Sequence, residues 1–302
     1  MITLNSDKGL VEVENWGDVL SRPGFRTELN PKEHKLRAII GRYNLRDQVR
    51  CGLSDCHTPH NHGYIVETDQ GVETNIGQLC GKREFGVEFK ELSQKFERDI
   101  TERNNRQILA AFAIQLEDIV EIVEQLREGP RGANWAYRNL QPFLSANRGC
   151  PESVVRRLAA MVKSRQSTLM REREATKQEI EAIEAAEGRN IPRPHVISEP
   201  IGELRGFAAL YQENDLRALL VLDLETNLKA FRDLDIDSLS YAELVRWAKW
   251  VGTVPETLER AREAAKIACQ FLTARNLNIL RVTVAPGHDQ RLFTTLLESL
   301  PT

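Results

Sequence analysis

Cys51-Gly-Leu-Ser-Asp-Cys56-His57-Thr-Pro-His60-Asn-His62-Gly63, then Tyr64-Ile-Val-Glu-Thr68, Asp69-Gln-Gly71, Val72-Glu-Thr-Asn-Ile76 and Gly77-Gln-Leu-Cys80-Gly81, is the stretch on which the reading of this chain turns. Six of the chain's eleven cysteines and histidines lie between Cys51 and Cys80. Thiolate and neutral imidazole are the donors that suit a tetrahedral, borderline-soft Zn²⁺ ion. The runs 64–68 and 72–76 are β-prone around a turn at Asp69-Gln-Gly71, which predicts a hairpin. Cys51 and Cys56 then share a knuckle-like turn eased by Gly52, and Cys80 returns beyond the hairpin, close to a helix start.

The ligand set is overcomplete, with three cysteines and three histidines for four positions. The expected site is Cys51, Cys56, His60 and Cys80. His62, at the hairpin entry, is the main alternate; His57 is the other, awkwardly placed because it directly follows Cys56. One structural Zn²⁺ per chain is expected, folding a small module. The order knuckle, hairpin, helix with a cysteine near the helix start resembles treble-clef zinc modules over roughly residues 51–90. It departs from them in a four-residue knuckle gap and in offering Arg83 and Glu84 one turn after Cys80.

Around this window the chain reads as mainly α, with a small N-terminal α+β zinc-binding module, a long-helix hairpin or coiled coil, and a C-terminal helical region. The expected segments are an N-terminal α+β domain at 1–86 (zinc module 51–86), a long-helix hairpin or coiled-coil arm at 87–189, a proline-rich linker at 190–200, and a helical domain at 201–302. Within the first, Ile2–Leu4 and Leu10–Val13 flank a turn over Asn5–Gly9, and Pro31 is expected to open a short helix carrying Leu36, Ile39 and Ile40. Leu109, Phe112, Leu116, Ile119, Val123 and Leu126 recur at steps of three and four, a heptad-like seam ended by Gly129-Pro130. That seam wants a partner helix, from this chain or from a second copy. Pro151 is expected to open a second long helix running to Glu187. Asn278–Val284 reads equally as a short strand or a helix end, and Ser240-Tyr-Ala-Glu243 as a capping box.

The chain of 302 residues has a net charge of −3, which excludes a uniformly basic nucleic-acid binder but not a local basic face. Between Arg131 and Arg171 eight Lys or Arg face one acid, Glu152. Arg131, Arg138, Arg148, Arg156, Arg157, Lys163 and Arg165, with Trp135 and Tyr137, are candidates for phosphate neutralisation and base stacking. The structural alternative makes the aromatics core and the arginines a solvated or acid-pairing face. Five cysteines, three of them clustered, point to metal ligation in a reducing compartment rather than a disulfide scaffold. Met1–Lys8 lacks a basic-then-apolar leader pattern, and no apolar run approaches the length of a membrane span, so a cytoplasmic, non-membrane protein is expected.

A binding protein is expected rather than an enzyme. No glycine-rich phosphate loop, Gly-x-Ser-x-Gly or paired His-Glu helix motif is present. His60-Asn-His62 suggests a zinc-dependent nuclease or hydrolase, but residues 82–128 contain no histidine to complete such a site. The partner is expected to be nucleic acid through the basic stretch. The rival is a scaffold that self-associates as an oligomer through helices 87–128 and 152–187.

Overall fold

A computed structural model describes residues 1–6, 9–146 and 148–302; Asp7 and Lys8, in the expected Asn5–Gly9 turn, lie outside the described residues. The chain forms two compact units, one of residues 1–108 with 239–246, the other of 109–238 with 247–302. These differ from the expected segments, since neither residue 86 nor the 190–200 stretch divides them.

The first unit is built on an antiparallel sheet of β1 (Ile2–Ser6), β2 (Gly9–Val13), β3 (Leu36–Arg50), β4 (Pro59–Thr68) and β5 (Glu73–Ile76), in the order β2-β1-β3-β4-β5. A short helix α1 (Trp16–Leu20) follows β2, and the long helix α2 (Gln78–Glu128) follows β5. The β4–β5 hairpin is the one expected, with Tyr64 opposite Ile76 and Glu67 opposite Glu73.

The helix expected after Pro31 is instead the start of β3. Register shifts fall between Leu36 and Ala38 and between Ile39 and Gly41. Each inserts a residue, so Leu36 and Ile39, three apart, both enter the cluster containing Val66, Ile76, Phe89 and Phe96. Ile40 packs instead against Ile2, Phe25, Tyr43 and Ile65. A bulged strand covered on both faces therefore imitates the three-and-four spacing of a helix.

Within α2 the backbone breaks at Gly86, with φ 55° and ψ −127°. The short segment bearing Cys80 is thereby set off from the helix that continues to Glu128. A side chain at this φ and ψ is strained by about 1–3 kcal/mol. Gly86→Ala is expected to lower the stability of the first unit by that amount, read from the urea midpoint; an unchanged midpoint would show that the break is not maintained.

The second unit continues α2 and adds α3 (Ala133–Leu144), α4 (Glu152–Ser164), β6 (Thr168–Glu174), α5 (Lys177–Glu187) and β7 (Val196–Glu203). A π-helical turn at Arg217–Glu225, then α6 (Thr226–Arg232), α7 (Tyr241–Phe271), α8 (Ala274–Leu277) and α9 (His288–Glu298) follow; α7 starts in the first unit. The helix expected over 151–187 is thus three elements. Arg165 takes a left-handed conformation, φ 52°, and ends α4. The charged stretch beyond it pairs as β6 with β7, which starts within the expected linker and runs past its end, and Glu199 binds both Arg171 and Arg173 across the strands. Among the described residues no long-helix hairpin forms, and Asn278–Thr283 is a 3₁₀ turn.

The seam on α2 is covered by its own unit. Leu109, Phe112, Leu116 and Val123 are buried, and the Phe112 ring meets Phe231 at 4.9 Å and Trp250 at 5.6 Å, both edge-on. The capping box at the start of α7 is present: Ser240 N–H donates to the Glu243 carboxylate at 2.9 Å, and Glu243 N–H donates to the Ser240 hydroxyl at 3.4 Å. Among the described residues no helix is long and apolar enough to cross a membrane.

Candidate metal centre

The turn after β3 is fixed before any metal is considered. Cys51 N–H donates to Thr58 O at 3.1 Å and Cys56 N–H to Leu53 O at 3.0 Å. Gly52 N–H donates to Asn75 O on β5, and Leu29 N–H donates to Gly52 O, both at 2.8 Å. A Cβ on Gly52 would run into the Thr74 hydroxyl and stand 3.1 Å from Asn75 Oδ1, so this close approach needs glycine. Asn75 is itself buried and donates to Arg50 O at 2.8 Å. β5 thus carries the turn, and one residue past β5 the chain enters α2, whose third residue is Cys80.

These elements bring the Sγ atoms of Cys51, Cys56 and Cys80 within 4.8 Å of one another, with Cys56 and Cys80 3.2 Å apart. Cys51 and Cys80 are buried, and Cys56 is half-exposed. A tetrahedral zinc–thiolate site has Zn–S bonds of about 2.3 Å, hence sulfurs about 3.8 Å apart, so the three thiols fit one ion.

None of the three histidines joins this group. His60 was the expected fourth ligand, but it belongs to a polar chain on the other side of the strand. Its Nδ1 stands 3.0 Å from the Tyr43 hydroxyl, its ring stacks on Tyr43, and Tyr43 accepts from Asn75 at 3.3 Å. The reason is strand geometry: His60 lies within β4 opposite Val49, and its face is set by that register rather than by its distance in sequence from Cys56. Burial, with His62 adding to it, lowers the His60 pKa. His57 is exposed at φ 51°, and His62 is exposed with its Nδ1 2.6 Å from Asn61 Oδ1. The histidines do not converge as a nuclease site would require.

Sequence reading missed the surroundings of Cys56. Thr58 Oγ1 lies 3.3 Å from its sulfur, and the Arg83 guanidinium stands beside it while donating to Glu84 at 2.6 Å. The available signal was helical spacing, since Arg83 is one turn after Cys80 and so on its face. Burial opposes ionisation of Cys56, but Thr58, Cys80 and Arg83 together outweigh it and bring the thiol down to about 6. Burial instead pushes Cys80 up to about 12 and raises Cys51, with the neighbouring thiols adding to both. A thiol held below its ordinary value favours the folded state at high pH and loses that contribution as pH falls through about 6. In metal-free, reduced protein, iodoacetamide is therefore expected to modify Cys56 first at pH 7, at a rate that climbs through pH 6 and then levels. Peptide mass spectrometry reads the order, and equal rates at all three cysteines would contradict it.

The basic stretch divides into two classes. Arg156 pairs with Glu152 at 3.1 Å, Arg165 with Glu213 at 2.8 Å while lying over the Tyr211 ring, and Arg171 with Glu199. Among the described contacts Arg138, Arg148 and Arg157 reach neutral acceptors, namely Asn134 O, Gln141 Oε1 and Met170 O. Arg131 and Lys163 are exposed. Phe143 is buried against Phe271, and Trp135 and Tyr137 are half-buried, so the aromatics are largely core.

The chain matches no known protein-family model, no curated protein and no solved structure.

Proposed function

We propose that this is a metal-stabilised binding protein. One Zn²⁺, held by the thiolates of Cys51, Cys56 and Cys80, ties the turn after β3 to the first turn of α2, and the folded chain then engages a macromolecule. The observation that carries this reading is the meeting of three thiols from a turn and a helix start within 4.8 Å. A soft, all-thiolate donor set in a mostly buried pocket suits a structural zinc better than a hydrolytic one, which ordinarily rests on histidine and carboxylate. The order turn, hairpin and helix supports the likeness to treble-clef modules, with Arg83 standing where a fourth ligand would be.

Nucleic acid is the proposed partner. Its support is the class of cations on residues 131–163 whose charge meets no carboxylate among the described contacts: Arg131, Arg138, Arg148, Arg157 and Lys163. The test is fluorescence anisotropy of a labelled single-stranded oligonucleotide over a salt series. Binding should weaken with salt by a log–log slope of about 0.7 per phosphate neutralised, and Arg138→Ala with Arg148→Ala should each remove roughly that increment. No binding at low salt, or a slope untouched by both changes, would reject nucleic acid as the partner.

A further inference from the structure

The three thiols leave one corner of a tetrahedron unassigned, and their surroundings say where it faces. Cys51 is fully buried and Cys80 nearly so, at 0% and 8% exposure, while Cys56 is the half-exposed member. Beside Cys56 stand the exposed Thr58, its hydroxyl 3.3 Å from the sulfur, and the exposed Arg83, whose guanidinium hydrogen-bonds both Cys56 and Glu84. Among the described residues no imidazole or carboxylate completes the group. Three thiolates on a divalent ion carry a net charge of −1. A guanidinium beside them cancels that charge and lets an additional anion approach at lower electrostatic cost. A borderline-soft ion already bound by sulfur accepts a further sulfur donor readily.

We infer that the Cys51–Cys56–Cys80 centre is a three-thiolate metal site whose fourth position opens to solvent beside Arg83 and takes a small-molecule thiolate. The inference rests on the metal reading above and goes beyond it, because a closed structural site would take no external ligand. Binding requires no redox step. The incoming thiol gives its proton to solvent, and its sulfur forms one bond to the metal as the bond from the metal to the solvent molecule at that position breaks and that molecule leaves.

The experiment uses the full chain, stripped of metal under a phosphine reductant and loaded with Co²⁺, whose visible and near-ultraviolet absorption reports the number of sulfur ligands. Wild type is expected to bind one Co²⁺ with a three-sulfur spectrum. Titration with 2-mercaptoethanol should raise the sulfur-to-cobalt band by about a third, the ratio of four thiolates to three, and then saturate. Arg83→Cys should show that intensity without added thiol and no longer respond. Arg83→Gln should still bind Co²⁺ but need several-fold more mercaptoethanol, and His57→Ala should leave the spectrum unchanged.

A wild-type spectrum that ignores mercaptoethanol would overturn the open position, and this arm stands even if Arg83→Cys fails to fold. A spectrum altered by His57→Ala would assign the fourth corner to that imidazole and equally overturn it. Failure of wild type to bind Co²⁺ at all would reject the metal reading itself, an outcome distinct from the other two.

Discussion

Cys80→Ser is expected to lower the thermal midpoint of the first unit by about 15–30 °C when wild type and variant are compared in the presence of zinc. An ion that binds only the folded state at a thousandfold excess over its Kd stabilises by about 4 kcal/mol. For a unit of this size each kcal/mol is worth about 4–8 °C. The loss should not be total unfolding, because the unit has apolar clusters of its own. Leu29, Leu53, Val66, Ile76 and Phe89 pack on the α2 face of the sheet, and Ile2, Phe25, Tyr43 and Ile65 form a second cluster. Differential scanning calorimetry with and without a chelator separates the two contributions. Wild type treated with chelator should fall to the midpoint of the variant, and the variant should not respond. A midpoint within about 2 °C of wild type would mean that no metal stabilises the unit.

Phe231→Ala is expected to cost the second unit about 3–5 kcal/mol, the usual range for emptying a buried aromatic site. Phe231 is 3% exposed and touches three rings: Phe112 on α2 at 4.9 Å, Trp247 at 5.7 Å and Trp250 at 6.4 Å. With Trp250 it covers Phe112 on the α2 seam, so the change also tests who covers that seam. An intrachain contact gives a urea midpoint that falls by the same amount at low and high protein concentration. A loss under 1 kcal/mol, or one that scales with concentration, would return the seam to a second copy of the chain.

The three-cysteine cluster was more legible in the sequence than the fold around it, and the difference has a physical basis. Cys51, Cys56 and Cys80 could be found because thiols are few and their chemistry is specific, whatever backbone carries them. His60 could not be placed, because a strand sends alternate side chains to opposite faces and the register of β4 on β3 is invisible in the chain itself. Bulges on β3 turned a strand into a helical pattern at Leu36, Ile39 and Ile40. The break at Arg165 and the strand after it are stabilised by partners far along the chain, Glu213 and Glu199, so local periodicity of 151–187 favours a helix that tertiary contacts replace. The apolar stripe from Leu109 to Leu126 was legible as a stripe. Its cover was not, since Phe231 and Trp250 lie more than a hundred residues beyond it.

The central claim is that three thiols of this chain hold one metal ion. Metal content by inductively coupled plasma mass spectrometry, on protein freshly purified under reducing conditions, tests it most directly, in wild type, Cys51→Ser, Cys80→Ser and His60→Ala. The account predicts one zinc per chain in wild type and in His60→Ala, and a loss of zinc in both cysteine variants. Wild type without metal, or Cys80→Ser retaining a full equivalent, would contradict it.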